Sequence, residues 1–116
     1  MKYMLLFMSP PTSNPAELAE GCDFEDWVRF DKAMKEAGIW VSGHPLQDLT
    51  TVTTVRVDAD GERTVTDGPF VETREILGGY DVIDVPNLDV ALEWAARSPG
   101  ARDGSVQVRP IADFGG

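Results

Sequence analysis

The chain has 116 residues, 42% of them hydrophobic, and its 20 acidic against 10 basic side chains give a formal charge of −10 at pH 7. That length fits one domain, 1–116, whose single core buries about two thirds of the unfolded surface without staples. The negative balance repels phosphates, so the composition argues against direct nucleic-acid or anionic-membrane binding, and the acidity is read as serving solubility. A lone cysteine, Cys22, permits no internal disulfide and no cysteine-based zinc site. Its neighbours Glu20 and Asp23 oppose a thiolate, so it is read as an ordinary residue. The apolar run over 1–8 is too short for a membrane span and lacks a small-residue cleavage site, so a cytoplasmic protein is expected.

The continuous apolar run over 3–8 predicts a buried strand. Pro10, Pro11 and Pro15 remove donors and break any ladder, so a loop follows. A helix is predicted over 23–37, with Asp23 as N-cap and Glu25 and Asp26 placed favourably to its dipole. Phe24, Trp27, Val28, Phe30 and Met34 recur at near-helical spacing as its apolar face, and Gly38 suits the C′ position. A brief extended segment over 39–41 leads into a loop with His44. The Val- and Thr-rich run 50–57 predicts a strand, Asp58 to Gly61 a hairpin turn, and 62–66 the partner strand. A helical turn is expected after Asp67, ended by Gly78 and Gly79. A long strand over 80–85 alternates Tyr80, Val82 and Asp84 against Asp81, Ile83 and Val85. Asn87 caps a second helix whose buried stripe is Leu88, Ala91, Leu92 and Ala95 and which ends near Arg97. Pro99 and Gly100 stop it, and 105–111 forms the last strand.

This order predicts an α+β fold of the ferredoxin-like, split βαβ kind: two helices on one face of an antiparallel sheet. Val52, Val55 and Val57 do not share one side, and Val82 opposes Ile83. Both sheet faces therefore carry apolar residues. The open face is expected to pack on a second copy, giving a homodimer whose sheets close into a dimeric α/β barrel.

The stretch Asp67-Gly68-Pro69-Phe70 is turn chemistry. Gly68 tolerates positive φ, Pro69 fixes its own, and Asp67 can bond to nearby backbone. It stands in an ordered series with Met1-Lys2-Tyr3-Met4-Leu5, Glu72-Thr73-Arg74-Glu75, Leu77-Gly78-Gly79-Tyr80, Ala91-Leu92-Glu93-Trp94-Ala95 and Val108-Arg109-Pro110. In that series the chain resembles the YCII-related family, specifically its DGPF subgroup, nearly end to end. The resemblance implies ferredoxin-like protomers in a dimeric α/β barrel. YCII-type members carry a His in the first helix and an Asp before a Pro after the second. Here the predicted first helix has no His, and Ser98 precedes Pro99, so the chemistry of that dyad is not carried over. Relatives of the subgroup occur beside or fused to extracytoplasmic-function sigma factors, which implies a regulatory setting.

The residues themselves offer several candidates for chemistry. His44, the only histidine, suits proton transfer if a carboxylate orients it, and is otherwise a loop histidine with ordinary hydrogen bonds. Asp67 is either a base or the cap of its own turn, and Phe70 is expected at the barrel mouth or dimer interface. Glu72 and Glu75 are exposed ion-pair partners, or acid/base groups if buried in a cleft. Arg109 is a carboxylate partner or an anion anchor. Trp27 and Trp94 have core spacing, whereas Trp40 is the better pocket aromatic. One His and one Cys argue against a zinc site, and Gly78-Gly79 lacks the spacing of a phosphate-binding loop, so no cofactor is expected.

Three functions follow as expectations. The first is a small-molecule-binding domain with a cleft lined by Trp40, His44, Asp67, Phe70, Glu72 and Arg109. The second is a cofactor-free lyase or isomerase using His44 or a cleft carboxylate such as Asp67, Glu72 or Glu75. The third is an interaction module acting on a sigma factor.

Overall fold

The computed structural model describes residues 1–9, 24–47, 51–67 and 75–113. Its elements run β1 Lys2–Ser9, α1 Phe24–Glu36, β2 Trp40–Pro45, β3 Thr53–Val57, β4 Arg63–Asp67, β5 Ile76–Asp84, α2 Leu88–Arg97, α3 Gly100–Asp103 and β6 Ser105–Pro110. Four strands form one antiparallel sheet in the order β2-β5-β1-β6. Each helical crossover thus skips one strand: β5 lies between β1 and β2, and β1 between β5 and β6. The architecture is α+β and compatible with the ferredoxin-like arrangement.

The core forms on one face of the sheet because β1 alternates. Tyr3, Leu5 and Phe7 are buried, while Met4 and Leu6 between them are half-buried on the other face. Leu5 on β1, Ile83 on β5 and Met34 on α1 are 0% exposed, and each contributes about 1.5–3 kcal/mol of burial. An aromatic chain ties the two helices over this face. Phe7 and Trp27 meet edge to face at 5.0 Å, Trp27 and Phe30 at 6.3 Å, and Phe30 and Trp94 at 6.3 Å. α1 ends at Gly38, whose φ of +74° is the left-handed conformation a helix terminus of this kind requires. Asn87 caps α2, its Oδ1 accepting from the Val90 amide at 3.0 Å.

Several expectations are corrected. Phe24 and Val28 are 81% and 49% exposed rather than packed in the core, because they face an open cleft beside α1. Leu88 and Leu92 are likewise exposed, and α2 buries Ala91 and Ala95 instead. The segment after Gly38 is no brief stub but a strand of 6 residues, which places His44 in β2 rather than in a loop. Gly78 and Gly79 do not end a helical turn. They lie inside β5, a strand of 9 residues. After Pro99 the chain makes the short helix α3 before β6.

The valine-rich hairpin is formed with its predicted turn, where Asp58 Oδ1 accepts from the Asp60 and Glu62 amides at 2.9 Å each. It is, however, a separate two-stranded sheet, β3-β4. Val55 pairs with Val65 there, both exposed, so the valines at 55 and 57 say nothing about the faces of the main sheet. Val82 and Ile83 do. The former pairs with Met4 on the face away from the helices, where it is nonetheless buried; the latter pairs with Tyr3 under the helices. The predicted cap Asp23, the prolines of 10–15, Cys22 and the turn 68–74 lie outside the described residues. No helix among the described residues is long and apolar enough to cross a membrane.

Candidate functional site

Directly paired residues on adjacent strands project to the same face. Tyr3 pairs with Ile83, Leu5 with Asp81 and Phe7 with Gly79; β2 adds Trp40 opposite Ile83, Gly43 opposite Asp81 and Pro45 opposite Gly79. Asp81 is therefore a carboxylate on the helix-covered face of a sheet whose other members there are aromatic, aliphatic or glycine. Gly43 and Gly79 leave two of those positions without side chains. A cleft of about 530 Å³ lies between α1 and the sheet. Phe7, Trp27, Val28, Met34 and Trp40 line it with Asp81. Exposed Phe24 and Val28 form its rim.

Asp81 is held in place from two sides. The Trp40 indole Nε1–H donates to Asp81 Oδ1 at 3.1 Å. Gly43 is required beneath it, because a Cβ built there would collide with that same Oδ1. Burial pushes the Asp81 carboxyl up to about 6 from an ordinary 3.8; the Trp40 hydrogen bond works against this, the Asp31 charge adds to it, and Lys35 again opposes it. Lys35 in turn pairs with Asp31 at 2.8 Å and lies 4.7 Å from the Trp40 ring centroid. α1 thus supplies a charged wall that steadies the tryptophan rather than a counterion that would fully ionise Asp81.

A carboxyl poised near neutrality in an apolar recess can take or give a proton, or bind a donor group of a ligand. Among the described residues no group of three or more His, Cys, Asp or Glu side chains is placed to hold a metal ion.

The residues singled out from the sequence are scattered. Trp40 lies in the cleft. His44 borders its end, yet pairs with Tyr80, their rings 6.0 Å apart, on the face opposite Asp81. Asp67 is the exposed last residue of β4, opposite Thr53 on the hairpin. Glu75 is exposed and accepts from the Ser105 hydroxyl at 3.0 and 3.2 Å. Arg109 is exposed opposite Met4, on the bare face. Phe70 and Glu72 lie outside the described residues. Ser98, where the resemblance would place an Asp, is fully buried and donates its hydroxyl to the Ala95 carbonyl at 2.7 Å, a helix-end role.

Asp81, Gly43, Gly79 and the Asp31–Lys35 pair are not among those candidates. The signal for Asp81 was present: it shares strand parity with Ile83 and Val85, both inward. An inward Asp in an apolar strand needs a reason. The glycines carry no comparable signal, since a missing side chain reads as a turn as readily as a cleft floor.

The comparisons name a family without assigning a reaction. An uncharacterised protein of Rhizobium meliloti (strain 1021) is 46% identical over 69 residues, a match covering 58% of this chain and 55% of that protein. The family model described as the YCII-related domain matches residues 1–115. The chain belongs to the YCII-related family.

Proposed function

We propose that the protein is a small-molecule-binding domain whose ligand occupies the cleft between α1 and the sheet. The observation that carries this reading is Asp81, the one carboxyl among the described residues that burial pushes up, in a largely apolar recess of about 530 Å³, within the size range of small-molecule sites. The wall chemistry favours a flat, largely apolar ligand that stacks near Trp27 and Trp40 and offers one donor to Asp81. A screen of aromatic fragments by NMR tests it. Fragments bearing an amine or phenol are expected to shift the Trp40 indole signal and to lose at least ten-fold in affinity in Asp81→Asn. A screen in which no fragment perturbs Trp40 would contradict the reading.

A second reading, a cofactor-free lyase or isomerase, is favoured by one observation: an Asp81 carboxyl near 6 suits general acid/base work at neutral pH. It predicts deuterium uptake at the carbon next to the carbonyl of bound aromatic ketones in D2O, abolished in Asp81→Asn. Binding without exchange would leave the binding reading standing and remove the enzymatic one.

The protomer also supports a ferredoxin-like dimer. Half-buried Met4 and Leu6 lie on the face away from the helices with Tyr80 and His44, an apolar centre for a second copy and for closure of a shared barrel. Light scattering at micromolar concentration tests this, and a monomer there would count against it.

A further inference from the structure

In a chain of net charge −10, three arginines meet. Arg29 of α1, Arg97 of α2 and Arg102 of α3 line one recess of about 230 Å³, closed below by Phe30 and Pro99, with Asp26 at its side. Like charges repel, and an acidic surface offers many carboxylates to disperse them. Here they are held together. Arg29 is pinned by Asp26 at 2.8 Å and by Glu25 at 3.5 Å. The Arg97 guanidinium lies 4.2 Å from the Trp94 ring centroid. Arg102 is carried by a tight turn whose amides bond back, Ala101 to the Ser98 carbonyl at 3.2 Å and Arg102 to the Pro99 carbonyl at 3.0 Å. Among the described residues neither Arg97 nor Arg102 has an ion-pair partner. Asp26 and Glu25 together offset Arg29, so the guanidinium groups left to meet a ligand are those of Arg97 and Arg102.

We propose that this recess is a second binding site, for a small molecule carrying two or more negative charges on phosphate or carboxylate groups. Planar guanidinium forks match such oxyanions with paired hydrogen bonds, and helix-borne arginines steadied by an aromatic ring and an aspartate need little reorganisation to do so. The site stands apart from the Asp81 cleft. It lies on the other flank of α1, and Phe30 is the one residue lining both. The remaining charge of the protein opposes any anion, so attraction here is local and falls as salt rises.

The intact chain is titrated at low ionic strength with inorganic pyrophosphate and, separately, with citrate, following the side-chain N–H signals of Arg97 and Arg102 by NMR. Saturable shifts at both arginines are expected with at least one probe. Pyrophosphate alone marks a phosphate ligand, and citrate alone a carboxylate. Arg97→Gln and Arg102→Gln are each expected to weaken binding at least ten-fold, while Asp81→Asn leaves it unchanged. Should Arg97→Gln disturb the fold through Trp94, exposed Arg102 carries the test alone. Shifts that never saturate with either probe, or an affinity unchanged in Arg102→Gln, would overturn the proposal.

Discussion

Asp81 and His44 belong to neighbouring rungs of the same strand pair, β2 and β5, and face opposite ways. Asp81 pairs with Gly43 under α1; His44 pairs with Tyr80 on the bare face. On the covered side a carboxyl is partly desolvated, given one indole donor and pushed up to about 6. On the bare side the imidazole is exposed beside a tyrosine ring. One step along a strand therefore separates a group with a shaped environment from one without. The residue type that looks more reactive in a sequence is not the one the fold equips. Chemistry follows the face.

The largest expected effect contrasts the faces through packing. Leu5→Ala, on the covered side, is expected to cost about 3–5 kcal/mol in urea unfolding at any protein concentration. Leu6→Ala, its half-buried neighbour, is expected to cost under about 1.5 kcal/mol in the protomer, and more with rising concentration if a second copy covers the bare face. Equal, concentration-independent costs would break the contrast. Gly43→Ala comes next. Its methyl meets the Asp81 carboxylate, so a loss of about 1–3 kcal/mol is expected. The titration of Asp81 should also fall back from about 6 toward 3.8 as the carboxyl is driven out of the cleft.

Trp40→Phe sharpens the comparison from the other direction. Removing the indole donor takes away a contact that lowers the Asp81 pKa, so the midpoint is expected to rise above 6, with about 1–2 kcal/mol lost at pH 8.

Asp81→Asn is smaller and of opposite sign. The folded carboxyl binds its proton more tightly than the unfolded chain does, 6 against 3.8. Wild-type stability from this group is thus fully present below pH 3.8 and is lost as pH rises through 6. Asn removes that loss, so the variant is expected to gain about 1 kcal/mol at pH 8, after discounting for partial exposure, with no gain below pH 4. His44→Ala, by contrast, is expected to move stability by less than about 0.5 kcal/mol and to leave the Asp81 midpoint alone.

Much of the fold was legible. The apolar run of β1, the Asn87 cap, the Asp58 hairpin and the alternation of β5 each express a local preference that the tertiary structure also satisfies. The errors have a common cause. Phe24 and Val28 have the spacing of a core face, but whether a face meets a partner depends on what the sheet offers beneath it. Phe24 and Val28 face the open cleft instead of packed side chains. Local patterning reports the amphipathic face and is silent about what opposes it. The candidate site was legible only in part. Trp40 stood out as an aromatic beside a turn-rich stretch, whereas Asp81 required knowing which parity of β5 lies under α1 and that its cross-strand neighbour is a glycine. His44 and Arg109 attracted notice by residue type, which does not encode the face.

The most direct test of the central claim is a carboxyl-carbon NMR titration of Asp81 in the wild-type chain, with the Trp40 indole signal followed in parallel. A midpoint near 6 is expected, with the indole proton shifting over the same interval because it donates to that carboxylate. A midpoint at the ordinary 3.8, with an indole signal indifferent to it, would place Asp81 in water and remove the cleft its chemical identity.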